Sequence, residues 1–194
     1  MDVKDKDDGI SLNSKYRGRE VRRGEKLYKF YSYVQENEKY RNIKYIAKMD
    51  DDVIVCPELF QYLKTNGINN QSYAGMFQGL KRAQEIGISR NAKADEMFVI
   101  LGRTIMYQIL SKEYCYDTNE ETCNSKDQRF DTNMGGQSLG LWLSSVKDVH
   151  ILPLNDVALY EGYNNSKSDI LVHHLSRKYN KDLSLIQRRY DQCR

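Results

Sequence analysis

The sequence has no apolar stretch approaching the roughly 20 residues that a membrane span requires. Its opening, Met1-Asp2-Val3-Lys4-Asp5, has no apolar core of the kind that marks a secretory signal. The residues at hand are therefore expected to be soluble as they stand, with any membrane anchor carried on an N-terminal part beyond them. Charge of one sign is also lacking. Thirty basic residues stand against 27 acidic ones, for a formal net charge of +3. That excess is too small to favour nucleic acid or a membrane surface as a partner. The four cysteines, Cys56, Cys115, Cys123 and Cys193, include no Cys-x-x-Cys pair, so no zinc spacing occurs. P-loop and kinase signatures are absent, as are internal repeats and low-complexity tracts.

What remains is an ordinary globular composition, 40% hydrophobic and 29% charged, in 194 residues. That length suits one domain or part of one. The 15 tyrosines stand out. Tyrosine suits sugar-facing surfaces because its ring stacks and its hydroxyl bonds; biased residue usage accounts for the number equally well. Cys115 and Cys123 close a short polar loop, either as a disulfide in an oxidising compartment or as two free thiols. Two Asn-x-Ser sequons, Asn70-Gln71-Ser72 and Asn164-Asn165-Ser166, matter only for a luminal chain.

Residues 1–24 are charged and glycine-punctuated and read as a mobile arm ahead of a catalytic domain at 25–194. Leu27, Phe30, Tyr31 and Val34 recur at helical spacing. The run Ile43, Tyr45, Ile46, Ala47, Met49 reads as a buried strand that ends in Asp50-Asp51-Asp52, and Val53-Ile54-Val55 as a second strand. Pro57 suits the first position of a helix with Leu59, Phe60 and Leu63 inward. Strands follow at Ser72 to Phe77 and Met97 to Leu101. After Gly102 comes a helix carrying Ile105, Met106, Ile109 and Leu110. Residues 111–137 are polar and read as a loop. Ser138 is placed to cap a helix that buries Leu139, Trp142, Leu143 and Val146. A strand at Val149 to Leu152 ends at Pro153, and Asp182 to Tyr190 reads as a last helix. Strands alternating with helices predict an α/β fold.

Three consecutive aspartates repel one another, and each raises its neighbours' pKa. A divalent cation removes that cost, and hard carboxylate oxygens suit Mn²⁺ or Mg²⁺. Ligands in α/β sheets gather beyond the carboxyl ends of strands, where this run is expected to lie. The competing reading is a solvated acidic turn. An EF-hand is excluded, because the alternating ligands, central glycine and closing glutamate are missing.

Lys48-Met49-Asp50-Asp51-Asp52-Val53-Ile54-Val55 resembles the metal-binding segment of the β-1,3-glycosyltransferase family. That family includes the β-1,3-galactosyltransferases, the β-1,3-N-acetylglucosaminyltransferases and the Fringe enzymes. Tyr73-Ala74-Gly75, Phe98 to Arg103 and Ser138 to Leu143 are similar to further family segments in the same order, closest in wording to divergent protozoan members. The resemblance covers about residues 20–180, and its sharply specific part is the aspartate run.

The resemblance implies a GT-A fold and a UDP-sugar-dependent, inverting hexosyl transfer, galactosyl or N-acetylglucosaminyl, to a glycan acceptor. It implies Mn²⁺ or Mg²⁺ held by Asp52 and Asp50, with a late histidine, His174 or His173, as a further ligand. Asp50, Asp51 and Asp52 would together bind the donor. It implies a Golgi-luminal, type II membrane protein in full-length form. The family places an acidic pair just before the helix at Ser138 to Leu143, where this chain has Gly135-Gly136. Asp131 is then expected as the general base, unless it is a turn aspartate bonded to its own backbone. Ala94-Asp95-Glu96-Met97 stands where the family has its acceptor loop, so Asp95 and Glu96 either bond acceptor hydroxyls or are exposed charges. Only 49 residues precede Asp50, so the first strands of a GT-A sheet are expected to be missing. Two alternatives stand beside the transferase. One is a non-catalytic relative that binds glycan or a partner; the other is a metal-dependent phosphoryl enzyme.

Overall fold

The computed structural model describes residues 19–50, 53–89, 91–111, 135–159 and 171–173, together with residues 191 and 193. Helix α1 (Arg19–Glu36) leads through a 3-10 turn (Glu38–Tyr40) into β1 (Tyr45–Met49) and β2 (Val53–Val55). Then come α2 (Glu58–Thr65), β3 (Ser72–Gln78), α3 (Leu80–Ile86), β4 (Lys93–Gly102) and α4 (Arg103–Ser111). Helix α5 (Gly135–Ser144), β5 (His150–Pro153), β6 (Ala158–Leu159) and β7 (Leu171–His173) complete the described elements. The fold is α/β, with a four-stranded mixed sheet ordered β1-β4-β3-β5 and a three-stranded sheet ordered β2-β7-β6. In the larger sheet β4 runs antiparallel to both β1 and β3, while β5 runs parallel to β3.

The two central strands are covered on both faces, and their side chains alternate between two cores. Tyr73, Phe77, Val99 and Leu101 point into one core, shared with α1, α4 and α5. Ala74, Met76, Phe98 and Ile100 point into the other, shared with α2 and the smaller sheet. On α1 the buried positions Leu27, Tyr31 and Val34 follow the expected helical stripe. Trp142 of α5 is fully buried and meets the Tyr28 ring edge-on at 5.7 Å. Gly102 sits where β4 turns into α4, and a Cβ there would lie 2.3 Å from the Asn70 carbonyl oxygen. Only a residue without a side chain permits that approach.

Several sequence readings are corrected. The helix at the front begins at Arg19, inside the segment read as an arm. The run ending at Met49 is not a buried strand. β1 lies at the sheet edge, only Ile46 is buried, and Tyr45 and Met49 are 37% and 51% exposed. Phe60 does not face inward; it is 70% exposed, because the buried stripe of α2 is Leu59 and Leu63, four residues apart. Pro57 is the residue before α2 rather than its first. Strand β4 starts at Lys93, so Asp95 and Glu96 belong to a strand and not to a loop. Ser138 does not cap α5, which starts three residues earlier; its side chain is buried inside the helix.

Cys56 and Cys193 form a disulfide that joins positions 137 residues apart, with Cα atoms 4.8 Å apart. Cys115, Cys123, the second sequon and the helix read at Asp182 to Tyr190 lie outside the described residues.

Candidate functional site: an acidic corner beside a bulge

β1 carries the acidic run to a corner of the larger sheet. The Asp50 amide donates to the Met97 carbonyl at 2.8 Å, extending the β1–β4 ladder by one rung. The Asp50 carbonyl accepts the Val53 amide at 3.3 Å, which closes the tight connection between β1 and β2. Lys48, two residues earlier on the same strand face, gives its ammonium to the Asp50 carboxylate and to the Glu96 carbonyl. Part of the cost of packing aspartates together is thus met by a side chain of the protein itself.

Opposite Asp50, strand β4 departs from regular pairing. Gly75 pairs with Val99, but Phe77 pairs with Ala94, so β4 carries three more residues than β3 across this interval. Such a bulge bends the strand and re-aims its side chains. Gly75 lies across from it, and a Cβ there would stand 2.6 Å from the Cβ of Ala94. The bulge is pinned by polar bonds. Tyr73 Oη accepts the Ala94 amide at 2.9 Å, and Asp95 Oδ1 accepts the Met97 amide at 3.0 Å. Burial, with a smaller contribution from the Asp95 charge, raises the Tyr73 phenol above its ordinary value despite its bond to Ala94, so it stays neutral.

Asp95 and Glu96 are half-buried and engaged. Asp95 Oδ2 accepts from Gln78 Nε2 at 2.7 Å, and Gln78 Oε1 accepts from Lys93 Nζ at 3.1 Å. Glu96 Oε2 accepts the Gly136 amide at 2.9 Å, in the first turn of α5. A carboxylate there satisfies an otherwise orphaned helix amide and complements the helix dipole. This cap comes from a residue 40 positions away, which is why the sequence directed attention to Ser138 instead.

Lys93 is 7% exposed and packs against Gly140 of α5, where a Cβ would lie 3.1 Å from that of Lys93. Burial pushes its ammonium below the usual lysine value, and the charges of Asp95 and Glu96 pull it part of the way back. A lysine depressed in the folded state holds fewer protons there than in the unfolded chain, between the folded value and about 10.4. Stability attributable to Lys93 therefore rises with pH through that window. Denaturant unfolding of the wild type and of Lys93→Met at about pH 7 and about pH 10 should show the wild type gaining on the variant. A pH-independent difference would contradict this account of Lys93.

The smaller sheet brings a distant segment to the same run. β2 pairs antiparallel with β7, and the register sets His173 opposite Val53. Val53 directly follows Asp52, and His173 directly precedes His174, so two segments 120 residues apart in sequence meet at backbone level. Asp51, Asp52, Asp131 and His174 lie outside the described residues, as does the His173 side chain. Among the described residues no three His, Cys, Asp or Glu side chains form a group able to hold a metal.

A cleft of about 350 Å³ lies at the other end of α5, lined by Ala83, Ile86, Ile88, Leu143, Val146 and Ile151 among others. Leu143 is seven residues from Gly136, roughly 10 Å along the helix. The cleft gathers a single carboxylate, Asp148, whereas Lys48 pairs with Asp50 at the end of β1, and Lys93, Asp95 and Glu96 lie along the bulged stretch of β4. The Lys48–Asp50 ion pair at the start of the aspartate run makes the corner the candidate site.

Lys48, Lys93 and Gln78 were missed from the sequence. Lys48 carried a signal, because it stands two residues before Asp50 on a strand and must share its face. Lys93 and Gln78 carried none, because their meeting depends on the bulge. Compared with protein-family models and with curated proteins, the chain matches none.

Proposed function

We propose that this chain is the catalytic part of a GT-A-type, UDP-sugar-dependent hexosyltransferase. It would transfer galactose or N-acetylglucosamine, with inversion, to a glycan acceptor. One observation carries the reading: the run that begins at Asp50 follows an edge strand, and the β2–β7 register sets the His173 backbone opposite Val53, the residue after the run. Carboxylates and imidazole make a donor set suited to Mn²⁺ or Mg²⁺. Asp52, Asp50 and His174 or His173 are the proposed ligands, and Asp51 completes the donor-binding run. When bound, the cation supplies charge neutralisation to the departing diphosphate.

In the proposed reaction an acceptor hydroxyl oxygen bonds to the donor's anomeric carbon as the bond from that carbon to the diphosphate oxygen breaks. The Asp131 carboxylate takes the hydroxyl proton, and UDP leaves. Lys48 holds Asp50 in place and offsets part of the negative charge of the corner. Asp95 and Glu96 are the proposed acceptor-binding residues, because a carboxylate accepts several hydrogen bonds and can take sugar hydroxyls as well as Gln78 and Gly136. In a full-length form the reading places the protein in the Golgi lumen as a type II membrane protein.

A second reading has its own support. Gly135-Gly136 stand at the head of α5 where the resembled family carries its acidic pair, and Lys48 already engages Asp50. Both features suit a non-catalytic relative that binds glycan or a partner protein. Titration calorimetry with UDP, with and without Mn²⁺, separates the two. The transferase reading expects saturable UDP binding that appears only with the metal. Absent or metal-independent binding refutes it.

A further inference from the structure

We infer that Asn70 is an N-glycosylation site, modified while the chain is still unfolded and then sealed by folding. The inference stands on the disulfide and on the β3 turn, and it is independent of the proposed transferase reading. Asn70-Gln71-Ser72 meets the Asn-x-Ser requirement, and Gln71 is not proline. The Cys56–Cys193 disulfide joins two buried residues, and such bonds persist in oxidising compartments, the secretory lumen among them. That lumen is where asparagine-linked glycans are attached in eukaryotic cells.

The turn ahead of β3 separates the two partners of the sequon. Asn70 is exposed, and its side chain has no hydrogen-bond partner among the described residues. Its backbone is fixed: the carbonyl accepts the Thr104 amide at 3.1 Å and packs against Gly102. A glycan on this side chain therefore projects into solvent without moving the fold. The adjacent Asn69 behaves differently. Its amide group reaches His150 Nδ1 and the Gly67 carbonyl, and its Oδ1 accepts the Gln71 amide.

Ser72 faces the other way. It is fully buried, its Oγ accepts the Asn69 amide at 2.8 Å, and the same oxygen lies 3.0 Å from His150 Nδ1. In the folded protein this hydroxyl is closed to an enzyme that must read the sequon in an extended chain. Modification must therefore precede the pairing of β3 with β5. In the reaction the Asn70 Nδ2 nitrogen bonds to the anomeric carbon of a polyprenyl-diphosphate-linked oligosaccharide. The carbon–oxygen bond to the diphosphate breaks, Nδ2 loses one proton, and the polyprenyl diphosphate leaves.

The test is peptide mapping of the full chain produced behind a cleavable signal in a eukaryotic secretory host. Enzymatic release of Asn-linked glycans should convert Asn70 to aspartate in the mapped peptide, read separately from Asn164. Asn70→Gln should remove that modification and leave the melting temperature unchanged. Secreted, folded protein with an unmodified Asn70 overturns the inference. The order of events is tested with detergent-opened microsomes supplied with the polyprenyl-linked donor: reduced, unfolded chain should be modified, and refolded, disulfide-bonded chain should not. Equal modification of both would overturn the sealing step. Loss of the transferase reading through absent UDP binding would leave the peptide map unchanged.

Discussion

Asp52→Ala should abolish metal-dependent UDP binding and lower kcat/KM for sugar transfer at least about a hundredfold, roughly 3 kcal/mol of transition-state stabilisation. The circular dichroism spectrum should be unchanged. Asp50 is held by Lys48 and retains a partner without a cation, whereas the donor site as proposed depends on Asp52 for cation charge compensation. Asp131→Asn should act at another step, leaving UDP binding intact while transfer stops, because the proton of the acceptor hydroxyl then has no base to receive it. Wild-type turnover in Asp52→Ala would remove the metal role, and full transfer in Asp131→Asn would remove the base.

Trp142→Ala should cost about 3–5 kcal/mol, the range for truncating a large aromatic in a closed core. Trp142 is fully buried, and it couples α5 to α1 through the edge-on contact with Tyr28. Its neighbours Leu139 and Leu143 are themselves buried in the same core. The loss would be felt at the corner as well, because α5 presents the Gly136 amide to Glu96. Denaturant unfolding measures the first effect. A loss under about 1 kcal/mol, the scale of an ordinary substitution, would mean that α5 is a replaceable cover rather than part of the core.

The sequence was informative where a pattern was local. β2, β3 and α4 stand where apolar periodicity put them, and Leu59 and Leu63 face inward as read. It failed where tertiary structure supplied the partner. The apolar run at β1 looked buried because its composition is that of an inner strand, yet an edge strand buries one face at most, and here only Ile46. Asp95 and Glu96 looked like loop because charge interrupts the apolar pattern, but their backbone lies in β4, and Asp95 and Glu96 find donors in Gln78 and Gly136. Phe60 was misplaced by a single residue step, which is about 100° of rotation on a helix. Of the site, the aspartate run and the histidine pair were visible in the sequence. The pairing of Val53 with His173 in the β2–β7 register was not, because nothing local links positions 120 residues apart.

The Cys56–Cys193 bond has a practical consequence for every experiment with metal. Cys193 is one residue from Arg194, and Cys56 is three residues from Val53, which follows the aspartates directly. A polyhistidine tag fused after Arg194 would be stapled so that it starts within roughly 20 Å of Val53 and would bring its own imidazoles toward the ion under study. Affinity handles belong ahead of Met1 rather than after Arg194, and thiol reductants in the buffer would release the staple and change the result.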